Sequence, residues 1–270
     1  MTAPLSDKVF AGSVPQLYDQ LMVPMIFAPY ARDLAQRIKG HRPRDLLEIA
    51  AGTGAVTTVL AGELPDTTIT ATDLNEPMLA QAKTHLAGNA NIRWQQADAL
   101  SLPFGDASFD IVACQFGAMF FPDRVKGYAE ARRVIRSGGR FFFNVWDRIE
   151  ENDFADVMQQ TMFQVFPSNP PQFMARTPHG YHDPERIRAD LTAAGFRDIA
   201  IELVTHRSPA GSAQDAALAY CQGTPMRGEI EGRGQPGLEA ATERVAEALA
   251  QRFGNGPIEG KIQALVISAA

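Results

Sequence analysis

Asp45-Leu46-Leu47-Glu48-Ile49-Ala50-Ala51-Gly52-Thr53-Gly54-Ala55-Val56-Thr57 most restricts how this 270-residue chain can fold. Leu46 to Ile49 is a short apolar run holding one carboxylate. Pro43 bounds it behind and two glycines bound it ahead, so it reads as a buried strand ending in a tight turn. From Gly54 the spacing changes: Val56, Leu60 and Leu64 repeat at helical intervals. A strand, a glycine turn and a helix put free backbone N–H groups and the positive end of a helix dipole beside any bound ligand. A side chain at Gly52 or Gly54 would hold that ligand off the backbone.

A dinucleotide fingerprint would run G-x-G-x-x-G, but its third glycine place is Thr57. Further signals follow in order. Thr67 to Asp73 alternates β-branched residues and ends on a carboxylate about 20 residues past the turn, where it can accept two hydrogen bonds from a ribose diol. Asn75 and Pro77 open a helix lined by Leu79, Ala82 and Leu86. Asn91 to Gln96 is a third strand, and Asp98 stands just past its end, placed to accept from an exocyclic amine such as adenine's. Phe109 to Gln115 is a nearly continuous apolar strand, as expected where both faces are covered. A helix from Pro122-Asp123 carries Tyr128, Ala131 and Ile135, with Arg132, Arg133 and Arg136 as a solvated face. Ser137-Gly138-Gly139 ends it, and Arg140 to Trp146 is the fifth strand.

Composition narrows the class. Hydrophobic residues at 45% and charged residues at 21% are ordinary for a globular chain. A net charge of −6 argues against a nucleic-acid backbone as partner. The N-terminus shows no secretory pattern, and no apolar run approaches a membrane span, so a cytoplasmic protein is expected. Cys114 and Cys221 lie in apolar surroundings without metal-ligand spacing, so no metal is expected.

Other segments break the alternation of strand and helix. Residues 1–40 are expected to be an N-terminal helical flap, either packed on one edge of the sheet or closing over the ligand, with 9–40 reading as helical: an apolar, Met-rich stretch beginning Val9-Phe10-Ala11 and cut by Pro15, Pro24 and Pro29, then a helix from Tyr30 to Lys39. Residues 151–182 hold Phe154, Met158, Met162, Phe163 and Phe166 and then a Pro-rich loop. A helix from Asp183 to Gly195 and a strand from Phe196 to Val204 follow. Residues 207–260 include a helix at Leu238 to Phe253, and Ile262 to Ile267 is a last strand.

Glu48 with Gly52-x-Gly54, Asp73, Asp98-Ala99 and Ser137-Gly138-Gly139 in this order resemble the class I S-adenosylmethionine-dependent methyltransferases. Leu102-Pro103-Phe104 followed by Ser108-Phe109-Asp110 looks most like the group containing the ubiquinone and menaquinone biosynthesis methyltransferases. The resemblance runs from Asp45 to Trp146. It implies an α/β fold: a Rossmann-like, seven-stranded, mostly parallel sheet with helices on both faces and helical lid insertions. It also implies a cofactor core at 41–150, completed by 183–206 and 261–270, with 151–182 and 207–260 building a substrate chamber. Residue by residue, the turn Ala50–Gly54 would approach the methionine part of S-adenosylmethionine, and Glu48 would orient that turn or the ammonium. Asp73 would bind the ribose, Leu74 would pack on adenine, and Asp98 and the Ala99 N–H would meet the adenine edge. Gln115 would face the sulfonium end, and Tyr18 would close from the flap.

A sulfonium methyl is already activated, so the protein must align an acceptor and exclude water, adding a base only if the acceptor must lose a proton. His179, Tyr181 and His182 are the densest cluster of candidates for that base. Cys114-Gln115-Phe116-Gly117 replaces the Asn-Pro-Pro-aromatic motif of DNA amine methylation, which leaves a small-molecule acceptor. The other readings are a nicotinamide-dependent oxidoreductase, opposed by Thr57 and the position of Asp98, and a non-catalytic S-adenosylmethionine-binding protein.

Overall fold

Short apolar strands, each followed by a crossover helix, can close their hydrogen bonds only as a parallel sheet covered on both faces. The computed structural model describes residues 14–270, so Val9-Phe10-Ala11 of the expected flap lies outside the described residues. The sheet has seven strands: β1 (Asp45–Ile49), β2 (Thr68–Asp73), β3 (Ile92–Gln96), β4 (Phe109–Gln115), β5 (Ile135–Trp146), β6 (Ile199–Ala210) and β7 (Ile258–Ala269). Their order is β3-β2-β1-β4-β5-β7-β6, and only β7 runs against its neighbours. The order reverses between β1 and β4, which opens a crevice at their carboxyl ends.

The helices are α1 (Val14–Leu17), α2 (Ala28–Lys39), α3 (Ala55–Glu63), α4 (Glu76–His85), α5 (Arg124–Val134), α6 (Asp153–Val165), α7 (Phe173–Arg176), α8 (Pro184–Ala193), α9 (Ala213–Gln222), α10 (Met226–Glu231) and α11 (Leu238–Phe253). On one face Leu34, Ile38 and Leu60 close over Leu46, Ile69, Ile111 and Phe142. On the other Tyr128, Leu191 and Phe196 close over Leu47, Val112, Phe141 and Phe143.

Three boundaries differ from the sequence reading. The fifth strand begins at Ile135, not Arg140, and Ile135 pairs with Phe109 before the ladder shifts and resumes at Ile111 opposite Arg140. Gly138 and Gly139 are therefore an irregularity inside a strand. Gly138 has φ +83°, and a Cβ on Gly139 would stand 2.3 Å from the Asp110 carbonyl. Arg136 is not part of a solvated helix face: its guanidinium reaches Asp45 at 2.9 Å and Asp110 at 2.8 Å. The late strands are also longer than expected, paired from Ile199 opposite Ala269 to Ala210 opposite Ile258. The added part, Thr205-His206-Arg207-Ser208-Pro209, shows no apolar alternation because it lies at the sheet edge, where a proline is tolerated.

The third difference is at Pro24, which does not cut the flap. A π-helix runs through it from Tyr18 to Phe27. Its wider register, with the Ala28 N–H bonded five residues back to Val23 O, accommodates a residue that has no N–H to give. This segment crosses the carboxyl rim of the sheet and is fixed at both sides. Asp19 meets His85 of α4 at 2.7 Å, and the Tyr30 hydroxyl donates to Val204 O of β6 at 2.9 Å. The helices following β5 and β6 pack together: Arg252 of α11 pairs with Asp153 of α6 at 3.1 Å, and Gln222 of α9 donates to Thr242 of α11 at 3.1 Å.

Candidate functional site

The turn after β1 is left-handed at three places: Ala50 (φ +56°), Gly52 (φ +58°) and Gly54 (φ +84°). Two bonds to β2 hold it. The Ala51 N–H donates to Thr72 O, and the Gly52 N–H donates to Asp73 Oδ2, each at 2.9 Å. Asp73 Oδ1 accepts the Asn75 N–H at 2.8 Å, so this carboxylate braces two turns at once. Burial pushes its pKa upward against those bonds. Glu48 is 1% exposed and accepts the Thr57 hydroxyl at 2.6 Å. Burial pushes the Glu48 carboxyl up to about 8, and the Asp73 charge adds to the rise against the Thr57 bond.

At the end of β4 stands a second strained residue, Phe116, at φ +50°. An aromatic residue rarely takes a left-handed backbone, which costs on the order of 1–3 kcal/mol and marks functional sites more often than plain turns. Its N–H is held by Asn144 O at 3.0 Å, and its ring stacks on Trp146 at 3.8 Å with the planes 6° apart. The two strained turns touch: a Cβ on Gly117 would lie 2.5 Å from the Cβ of Ala50.

Between these turns lies a cavity open to solvent, walled by Tyr18, Ala50, Gly52, Asp73, Leu74, Asp98, Ala99 and Gln115. Phe116, Gly117, Phe120, Phe121 and Pro122 close the side below β4. A second, smaller hollow lies beside it and holds Glu48 and Thr53; Tyr18, Ala50, Gly52 and Gln115 border both. Tyr18 thus stands between them, stacked on Phe27 at 5.0 Å, its hydroxyl held protonated by burial and by the Asp73 charge. Two buried polar atoms beside the second hollow have no hydrogen-bond partner among the described residues: Thr53 Oγ1 and Gln115 Oε1. An oxygen left bare in this way fits a polar ligand group, because buried polar atoms are otherwise nearly always paired.

The structure brings nine of the ten expected cofactor residues to this paired cavity. Gly54 is the exception. Its α-carbon faces Ala82 and Trp94, where a Cβ would sit 3.1 Å from Ala82, so its left-handed φ serves the entry into α3. Asp98 is exposed on the cavity rim, its Oδ1 accepting the Leu100 N–H at 2.9 Å. Leu74, 47% exposed, offers its side chain to the same space. Thr53, Asn75, Met78, Phe120 and Phe121 also border the hollows without a sequence signal: Met78 sits in the first turn of α4 beside the Leu79 face, and the others lie in turns too short to show periodicity.

The three candidate bases do not line either hollow. His179 Nδ1 is bonded to the Asp147 carbonyl at 2.7 Å, and burial drives its pKa down to about 4. Tyr181 donates to Asp190 at 2.9 Å in a buried group with Tyr128, and His182 Nδ1 meets His179 O at 2.7 Å. Each is occupied in shaping the loop after α7, which is why the cluster looked reactive in sequence. Cys114 is fully buried, with its thiol pushed up to about 12 by burial, so it is no nucleophile. Among the described residues no His, Cys, Asp and Glu group could hold a metal, and no helix is long and apolar enough to cross a membrane.

A family model described as a methyltransferase domain matches residues 47–143. The chain is 30% identical over 173 residues to a demethylmenaquinone methyltransferase of Thermus thermophilus, spanning 60% of this chain and 78% of that one. It is 29% identical over 202 residues to the demethylmenaquinone methyltransferase of Deinococcus radiodurans, spanning 70% and 84%. Among solved structures, phosphoethanolamine N-methyltransferase 2 of Haemonchus contortus, in complex with S-adenosylhomocysteine, aligns with a TM-score of 0.59 at 15% identity. That alignment spans 94% of this chain and 57% of the other, and it is a likeness of fold.

Proposed function

This chain belongs to the class I S-adenosylmethionine-dependent methyltransferases of the ubiquinone and menaquinone biosynthesis type, and we propose that its acceptor is an uncharged, planar aromatic molecule of the hydroquinone kind. The observation that carries the acceptor class is the wall of Phe116, Gly117, Phe120, Phe121 and Pro122 on the side of the cavity away from Asp73. The names of the relatives in Thermus thermophilus and Deinococcus radiodurans point the same way.

We assign the part of the larger hollow around Asp73, Leu74 and Asp98 to the nucleoside, the part around Phe116, Phe120 and Phe121 to the acceptor, and the smaller hollow to the amino-acid end of the cofactor. Asp73 can accept from the ribose, Asp98 from the adenine amine, and Leu74 and Met78 can cover the base. Glu48 and Gln115 Oε1 suit an ammonium, and the Thr53 hydroxyl suits a carboxylate. Bound S-adenosylmethionine supplies a methyl group made electrophilic by its sulfonium. The work left to this protein is to align the acceptor and keep water out. Phe116, fixed by Trp146 and by Asn144 O, gives that alignment a rigid flat surface. The flap with Tyr18 covers the gap between the hollows. Segments 151–182 and 207–260 line neither hollow; 151–182 meets the wall from behind, where the Phe173 ring lies 6.3 Å from that of Phe120.

The test is transfer of labelled methyl from S-adenosylmethionine to a panel of hydroquinones, phenols and charged amines, with Asp73→Ala as the control. Label entering hydroquinones and failing with Asp73→Ala is the expected result. Label entering only the charged amines would overturn the acceptor class.

A further inference from the structure

Asn144 lies on β5 with a fully buried side chain, and neither its Nδ2 nor its Oδ1 has a hydrogen-bond partner among the described residues. A bare buried carboxamide is destabilising at each unpaired group, and a residue of similar size without polar atoms would avoid that cost. Its same-face neighbours along β5, two residues away on either side, are Phe142 and Trp146, both buried and apolar. The fold therefore gives no reason for an amide here.

The register gives one. Asn144 is the β5 partner of Gln115, so the two side chains leave the sheet side by side on one face. Gln115 is itself loosely held: its Nε2 donates to Phe27 O at 3.3 Å, and its Oε1 is buried and bare. Gln115 borders both hollows, at the place where they join.

We propose that Asn144 is a positioning residue for the cofactor: the two bare groups are not bonded to each other, and one water between them would take the Asn144 amide N–H and donate to Gln115 Oε1, aiming that oxygen at the cofactor's amino-acid end. This rests on the assignment of Gln115 to the cofactor given above. A carboxamide oxygen has two lone pairs, so Gln115 Oε1 can accept from that water and from a bound ammonium together. Holding a long side chain in place before binding spares the cost of ordering it at the moment of binding. Asn144 thus acts on the cofactor without touching it.

The experiment is a double-mutant cycle of Asn144→Leu and Gln115→Ala, read by the Kd for S-adenosylhomocysteine and by the Tm of the ligand-free protein. Asn144→Leu is expected to weaken binding about tenfold without lowering the Tm, because it removes bare polar atoms. In the Gln115→Ala background the same change is expected to cost less than about twofold, the signature of a shared interaction. If Asn144→Leu does not fold, Asn144→Ser and Asn144→Ala make the same comparison: the hydroxyl should recover affinity that the methyl loses. Two results would overturn the proposal alone: wild-type affinity in Asn144→Leu while Gln115→Ala binds weakly, or a large fall in Tm with the two changes additive. Wild-type affinity in Gln115→Ala would remove the assignment of Gln115 as well.

Discussion

Thr57 donates its hydroxyl to the Glu48 carboxylate at 2.6 Å, joining the first turn of α3 to the strand that enters the site. The bond explains why a threonine stands where a dinucleotide fingerprint has its third glycine: the position anchors a buried carboxyl instead of clearing a path for a pyrophosphate. Three consequences concern Glu48 and the turns around it, and a fourth concerns the chamber.

Cofactor binding is expected to release protons near neutral pH. Burial holds the Glu48 carboxyl up at about 8, so at pH 7 it is mostly protonated in the free protein. An ammonium beside it favours the ionised form, and affinity for S-adenosylhomocysteine therefore rises as pH increases toward 8. Titration calorimetry in two buffers of different ionisation heat measures the release, and Glu48→Gln should abolish it. Stability moves the other way. Because the folded pKa lies above the ordinary value of 4.5, this group's contribution is complete below that value and is lost as pH rises through about 8. The ligand-free protein should lose less stability over this range as Glu48→Gln.

Asp73→Ala is expected to weaken S-adenosylhomocysteine by about 10- to 100-fold, the worth of one or two charge-assisted hydrogen bonds. The Tm should also fall, because the Gly52 and Asn75 N–H groups lose their acceptor. Calorimetry and thermal denaturation on one sample separate the two effects. Wild-type affinity would mean that the ribose lies elsewhere.

Gly117→Ala should destabilise by about 1–3 kcal/mol through overpacking, since its Cβ would lie 2.5 Å from Ala50 Cβ and 2.8 Å from Cys114 Sγ. Pushing Ala50 also displaces the turn beside Gly52, so cofactor affinity should fall with stability. Gly62→Ala is the matched control. It lies in α3 with open space around it and should stabilise by about 0.5–1 kcal/mol. Denaturant melts of both variants provide the comparison.

Phe120→Ala should raise the KM for an aromatic acceptor about tenfold, which corresponds to about 1.4 kcal/mol of lost contact. Affinity for S-adenosylhomocysteine should stay within about twofold of wild type, because no cofactor contact is assigned to this ring. Steady-state kinetics against the acceptor, with the Kd measured separately, decides this. A Kd that rises along with the KM would place the ring against the cofactor.

The periodicity of single short segments determined the chain order of strands and helices and which residues stand at the strands' carboxyl ends; the crevice between β1 and β4 came from the sheet order. Asp73, Asp98 and Gln115 could be placed at those ends because a strand's end is a local property of the sequence. Tertiary structure alone decided what depends on contacts between distant residues: the passage of the flap through Pro24, the strand hidden behind Ser137-Gly138-Gly139, and the edge pairing out to Ala210. It also separated Gly52, which borders the cavity, from Gly54, which packs on Ala82, though both are left-handed glycines of one turn. His179 and Tyr181 looked free to act in sequence, and only the folded chain shows their polar atoms bound to Asp147 and Asp190. The physical reason is the same throughout: hydrogen-bond partners, burial and the pKa values that follow from them are set by which residues the fold brings together, whether 32 positions apart as His179 and Asp147 or 9 as Tyr181 and Asp190, and hydrophobic periodicity does not record them.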